Sequence, residues 1–145
     1  MKKHLTLIII ACILLITGCS KKKELVCTKD ASSNGIKIVQ TTSMKFISDK
    51  VENMNIGILI TLPDSYKAHI DTFADHFKKE YESKYASYNH VKLATKKEGN
   101  SKISIDMVFD YKNMTKEEKE DLNLSGSEKY SDNKEALVNQ GFTCK

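Results

Sequence analysis

His69 and His76 lie seven residues apart, with Asp71 and Asp75 between them and Glu80 four residues beyond. On a helix this spacing sets both imidazoles on about one side, and His76 with Glu80 has the i, i+4 separation that can chelate a metal. No HExxH run accompanies them, so His69, His76 and Glu80 stand as weak metal candidates, read as histidines at the edge of an apolar face beside solvated carboxylates. Asp106 and Asp110 share one face of a strand, about 13 Å apart by strand rise. Glycosidase carboxylate pairs lie within about 10 Å of each other, so this pair reads as solvated. Glu117, Glu118, Glu120 and Asp121 open a short helix, where acid favours the helix dipole. The sequence holds no GxSxG nucleophile turn and no GxxxxGK[ST] phosphate cradle. It therefore offers no catalytic residue and no cofactor site, and a non-enzymatic chain is expected.

The cysteines carry stronger chemistry. Lys2, Lys3 and His4 precede an apolar run from Leu5 to Ile16, followed by Thr17, Gly18 and Cys19. A basic start, a short apolar stretch and small residues before a cleavage point make a secretory leader. The run is shorter than the roughly 20 residues that span a bilayer. Ile16-Thr17-Gly18-Cys19 resembles the lipobox of bacterial lipoproteins. That resemblance implies diacylglycerol on the Cys19 sulfur, cleavage before Cys19, a palmitate-type acyl chain and a membrane anchor on the extracytoplasmic face. Lys21, Lys22 and Lys23 follow at once and are expected near anionic headgroups, at about 1 kcal/mol per lysine close to the surface. Residues 1–18 are thus read as signal peptide, 19–26 as a lipidated tether of at most about 28 Å, and 27–145 as one domain.

Of the four cysteines, Cys12 leaves with the leader and Cys19 carries lipid. Cys27 and Cys144 remain, one at each end of the domain. In an exported chain such a pair usually closes, so a Cys27–Cys144 disulfide is expected. Its long loop gives roughly 4.5–5 kcal/mol as an upper figure in the chain-entropy model. Zinc is disfavoured, because the two lack close-spaced ligand partners.

These residues need a scaffold, and the composition allows one. The 145-residue chain is 40% hydrophobic and 29% charged, which fits a single globular domain behind a leader. The net charge of +4 includes Lys2 and Lys3, leaving a mature form near balance with no nucleic-acid footprint. All 23 basic residues are lysine, so sites built on the planar arginine fork are excluded.

Alternation predicts strands over 36–47 and 51–62, joined by a tight turn at Asp49-Lys50. Ile36, Ile38, Met44 and Phe46 share one face of the first, and Met54, Ile56, Ile58, Ile60 and Leu62 one face of the second. Pro63 ends that strand, and Asp64 is placed to cap a helix over 65–86. Its buried stripe is Tyr66, Ile70, Phe73, Phe77, Tyr81 and Tyr85. Strands follow over 90–97, with Val91 and Leu93 inward, and over 101–111. Thr115 and Glu118 form a capping box for a short helix. A last helix covers 132–140, with Gly141 as its left-handed cap. Tyr88 and Tyr130 are left free for the surface. The expected fold is α+β: a four-stranded antiparallel sheet in the order β-β-α-β-β-α-α, with one long helix packed on one face.

Three segments carry a wider likeness: ITGC at 16–19, MKFISDKVENM at 44–54 and GFTCK at 141–145. With the layout above, they make the chain similar to the YehR-like family of bacterial lipoproteins. The resemblance implies an extracytoplasmic α+β domain and transfers no active site. Two functions stay open. One is a binding or interaction module at the cell surface, with another envelope protein as partner. The other is a small-ligand or metal-binding lipoprotein serving a transporter, its pocket lying between helix and sheet.

Overall fold

The computed structural model describes residues 21–145. The expected leader, the lipobox residues Ile16, Thr17 and Gly18, and the lipidation position Cys19 lie outside the described residues. Among the described residues, no helix is long and apolar enough to cross a membrane.

The sheet has six strands, which corrects the expected four. They are β1 (Lys22–Asp30), β2 (Lys37–Ile47), β3 (Lys50–Thr61), β4 (Val91–Glu98), β5 (Lys102–Phe109) and β6 (Thr143–Cys144). Their order across the sheet is β4-β5-β3-β2-β1-β6, and every neighbouring pair is antiparallel. Two strands escaped the sequence reading for physical reasons. β1 reads KKELVCTKD, and only Leu25 and Cys27 mark its buried face. Charged residues blunt strands near a sheet edge and erase their alternation. β6 is two residues long and exists because Cys144 lies opposite Cys27. Residues 22–26, read as tether, are the first half of β1 and pair Lys22 with Ile47.

The β2–β3 hairpin turns one residue earlier than expected. Ser48 and Asp49 both take positive φ, 51° and 65°, the geometry of the tight turn that suits strand twist. A register shift between Lys45 and Phe46 follows it. Inner-face residues fall as the alternation predicted, and Phe46, Leu25, Ile103 and Ile105 are each buried to within 2% of completely. Burial of such side chains contributes about 1.5–3 kcal/mol apiece.

The described residues form three helices, α1 (Ile70–Tyr85), α2 (Lys116–Asp121) and α3 (Tyr130–Asn139). The long helix starts later than predicted, because Asp64–His69 is a 3-10 segment. Asp64 makes no capping bond there and pairs instead with Lys67 at 2.7 Å. α1 lies over β4 and β5, while α3 lies over β1 and β6. The single expected helical layer is therefore two helical covers with strand between them. The Thr115–Glu118 capping box is present as predicted.

Candidate functional site

The two helical covers leave the middle of the sheet, β2 and β3, only partly roofed. There the inner face of β2 passes from Met44 and Phe46 to the polar Thr42 and Gln40, opposite Ile56 and Ile58 of β3. Over this floor lies a cleft of about 340 Å³, at the small end of ligand-sized pockets. Its roof is α3, which contributes Asn133, Ala136, Leu137 and Gln140. The loop joining α2 to α3 closes one end through Asn123, Leu124, Gly126 and Ser127.

α3 buries only Leu137, so packing alone would hold it weakly. It is braced at both ends instead. At the N-terminus, Tyr130 packs edge-on against Phe46 with centroids 5.3 Å apart. Its backbone N–H donates to Asp49 Oδ1 at 3.3 Å, and Lys23 Nζ lies 5.2 Å from its ring centroid. Tyr130 is thus structural, not the free surface aromatic expected. At the C-terminus, Gly141 turns with φ 88°, a conformation that glycine adopts without steric penalty. Phe142 N–H then donates back to Leu137 O at 3.0 Å, and the ring is buried. Lys29 Nζ donates to Gln140 O at 2.7 Å, and the Cys27–Cys144 disulfide fastens the chain one turn further on. The expected disulfide is present, closing a separation of 117 residues.

The loop end is built as firmly. Tyr111 O–H donates to Leu124 O at 2.9 Å, and Lys119 Nζ stands 4.0 Å over the Tyr111 ring. Burial pushes the Tyr111 phenol up, with Glu128 adding to the shift, so the hydroxyl keeps its proton and remains a donor. Asn133 Nδ2 donates to Ser127 O and Lys129 O. Ser127 Oγ donates to Asp132 Oδ2 at 2.6 Å, and this bond, followed by that from Ser131, holds the Asp132 carboxyl below its ordinary value. Ser127 is therefore a donor to a carboxylate, and no histidine lies in the cleft lining to activate it. Asp132 is the one charged residue of that lining, and no lysine enters it. The cleft offers a floor of Met44, Met54 and Ile56 broken by Thr42 and Gln40. Its rim is of amides and hydroxyls with one carboxylate, Asp132, already engaged by Ser127 and Ser131, which suits an uncharged ligand with an apolar portion.

The residues singled out from sequence lie elsewhere. His76 Nε2 stands 3.8 Å from Glu80 Oε2, with both side chains largely exposed. His69 ends the 3-10 segment, away from any such pair. Among the described residues, no group of three or more potential ligands could hold a metal. Asp106 faces the open side of the sheet beside Gly57, and Asp110 accepts a bond from Asn113. The acidic run is partly structural. Glu118 Oε2 accepts from Thr115 N–H and also sits 2.8 Å from His90 Nδ1, tying α2 to the start of β4. Those bonds, the backbone one first, hold the Glu118 carboxyl below its usual range. The cleft residues left little trace in sequence, because amides and hydroxyls on loops look alike until the chain is folded. The one available signal was the break in apolar alternation at Gln40 and Thr42.

The sequence matches no family model and no curated protein. Among solved structures it is similar to the NMR structure of a protein from Streptococcus pneumoniae TIGR4. The TM-score is 0.59 at 14% identity, over 89% of this chain and 88% of that one. At that identity the likeness concerns the fold.

Proposed function

We propose that this chain is a lipid-anchored, extracytoplasmic binding protein of the YehR-like kind, non-enzymatic, whose ligand site is the cleft beneath α3. The anchor rests on the leader and on Ile16-Thr17-Gly18-Cys19. The binding reading rests on one observation: a cleft of about 340 Å³ whose roof is braced at both ends and whose lining carries apolar, amide and hydroxyl groups with a single carboxylate, Asp132. Bracing lowers the ordering cost of binding, since the site is held open before the ligand arrives. The expected ligand is a small uncharged molecule with an apolar part. A lipoprotein delivering such a molecule to a transporter fits this reading.

The test is a melting screen of the protein against neutral amphiphilic compounds, repeated on Ala136→Trp. Ala136 is exposed and lines the cleft, so tryptophan there fills the site at little cost to the fold. A compound at 100 times its Kd stabilises by about 2.7 kcal/mol. The reading requires that this shift disappear in Ala136→Trp, and a shift that persists overturns the cleft as the site. The anchor has its own test. A clickable palmitate analogue should label the wild-type chain in cells and leave Cys19→Ala unlabelled.

A second reading, an envelope protein as partner, is favoured by the open outer face of the sheet. Thr41, Ser43, Asn55 and Ser104 present short polar side chains there around the bare backbone of Gly57, and Val108 is 39% exposed. Crosslinking in intact cells through positions on that face would recover such a partner.

A further inference from the structure

The described domain begins at a point that fixes its posture, provided that Cys19 carries lipid as proposed above. Lys21 O accepts a hydrogen bond from Ser48 N–H at 3.2 Å. Two residues of chain reach at most about 7 Å, so a lipidated Cys19 lies no further than that from the Lys21 backbone beside the β2–β3 turn. The opposite end of the sheet, with the 31–35 loop and the Gly99–Asn100 turn, is an 11-residue strand away, roughly 35 Å. The anchor therefore selects which end of the molecule meets the bilayer.

Charge then selects which corner of that end. Around the anchor point stand Lys21, Lys22, Lys23, Lys45 and Lys50 against Glu24, Asp49 and Glu52. Of these lysines, only Lys23 makes an ion pair among the described residues, with Asp49 at 3.5 Å. Glu52 is engaged by Lys112 at 3.4 Å, which leaves the corner more positive than its formal count. Lys22, Lys23 and Lys45 line a shallow hollow of about 430 Å³ at the same place, together with Glu24 and the Glu52 that Lys112 engages. The other corner of this end carries α2, where Lys112 N–H bonds Glu52 O just ahead of the helix. In α2 Glu117, Glu118, Glu120 and Asp121 outnumber Lys116 and Lys119. Lys116 pairs with Glu120 at 3.5 Å, Glu118 with His90 at 2.8 Å and Lys119 with Glu128 at 3.6 Å, which leaves Glu117 and Asp121 without ion partners among the described residues.

We propose that the β1–β2 corner is a docking surface for anionic phospholipid headgroups, and that the domain stands on it with α2 tilted away from the bilayer. Lysines without carboxylate partners are attracted to an anionic leaflet, while the acidic helix is repelled, and both effects fade beyond a Debye length. The Tyr130 end of α3 lies beside Lys23 and Asp49, so the cleft rises from the membrane-proximal end of the domain.

The test uses the lipid-bearing protein reconstituted in vesicles of equal parts phosphatidylglycerol and phosphatidylcholine. Single cysteines at Ser48→Cys, Glu117→Cys and Ser33→Cys carry a fluorophore, and a headgroup-labelled lipid acts as quencher. Quenching is expected to be strong at Ser48, weaker at Glu117 and absent at Ser33. Ser48 stays beside the anchor and strongly quenched throughout, so the docking surface is read at Glu117. Quenching there should rise toward that of Ser48 in vesicles of phosphatidylcholine alone or in the triple variant Lys22→Gln, Lys45→Gln, Lys50→Gln, and no change at Glu117 overturns the docking surface. Three such charges correspond to roughly a 100-fold change in the docked population if additive. Equal quenching at all three sites in the anionic vesicles, with lipid on Cys19 confirmed by intact mass, overturns the docking surface and leaves the anchor intact. An intact mass without lipid overturns the anchor itself, and the docking surface with it.

Discussion

Tyr111 and Glu118 act through single hydrogen bonds that hold larger pieces in place. Tyr111 closes the loop end of the cleft by donating to Leu124 O from a buried ring. Tyr111→Phe keeps the ring and the Lys119 contact and deletes that one bond, leaving a carbonyl without its donor. The expected loss is about 1–2 kcal/mol by urea denaturation, and an unchanged midpoint would show that the bond is not maintained in solution. Glu118 presents a pH effect. Its carboxyl titrates below the ordinary glutamate value in the folded chain, through the Thr115 amide first and His90 after it. A depressed acid gives stability that is complete above its unfolded value and lost as pH falls through the folded one. Glu118→Gln should therefore lower the melting temperature near neutrality and leave it little changed below the folded value, which flattens the acid limb of the stability profile. An identical acid limb in both proteins would remove Glu118 from the account.

At the scale of elements, β3 is the informative strand. It is flanked by β2 and β5 and carries Gly57 at its centre, on the open face. Glycine inside a strand is destabilising by roughly 0.5–1 kcal/mol relative to alanine. A Cβ at this position would meet Asp106 Oδ1 at 3.5 Å and Thr41 O at 4.0 Å, both ordinary contacts. Gly57→Ala is expected to raise stability by that amount in thermal denaturation. The same substitution fills a dimple on the face suggested for a protein partner. A stabilised variant that loses its crosslinked partner would locate the interface there, whereas a destabilised one would mean that the strand cannot accept a side chain at this point.

Across the whole molecule, the disulfide joins the first described strand to the last. Closing so long a loop gives roughly 4.5–5 kcal/mol at most, and removal of a native disulfide typically costs 2–5 kcal/mol. Cys144→Ser should fall in that range by denaturation under oxidising conditions. Its effect should also be local, because α3 depends on Cys144, Phe142 and Lys29 at one end, whereas β3 and β5 sit in the interior of the sheet. Hydrogen exchange should quicken in α3 and β6 and stay slow in β3 and β5. Uniform quickening would show that the two halves unfold as one unit.

The sequence by itself determined the local and periodic features. Four strands and their inward faces followed from a period of two, the capping box from Thr115 and Glu118, and the helix cap from Gly141. The disulfide followed from reading Cys12 and Cys19 as leader and lipidation positions, which left Cys27 and Cys144 as a pair. Each of these depends on neighbours a few residues away or on arithmetic over a few residues. The tertiary structure alone decided β1, β6, the second helical cover and the cleft. β1 is charged along most of its length, and its partner strand is known only once β2 is placed beside it. β6 has two residues and no pattern of its own, and it is a strand because a covalent bond puts it opposite Cys27. The cleft gathers Gln40, Thr42, Asn123, Ser127 and Gln140 from one strand, one loop and the end of a helix. No spacing links residues separated by so much chain, since their proximity is a property of the packed sheet and the braced helix above it.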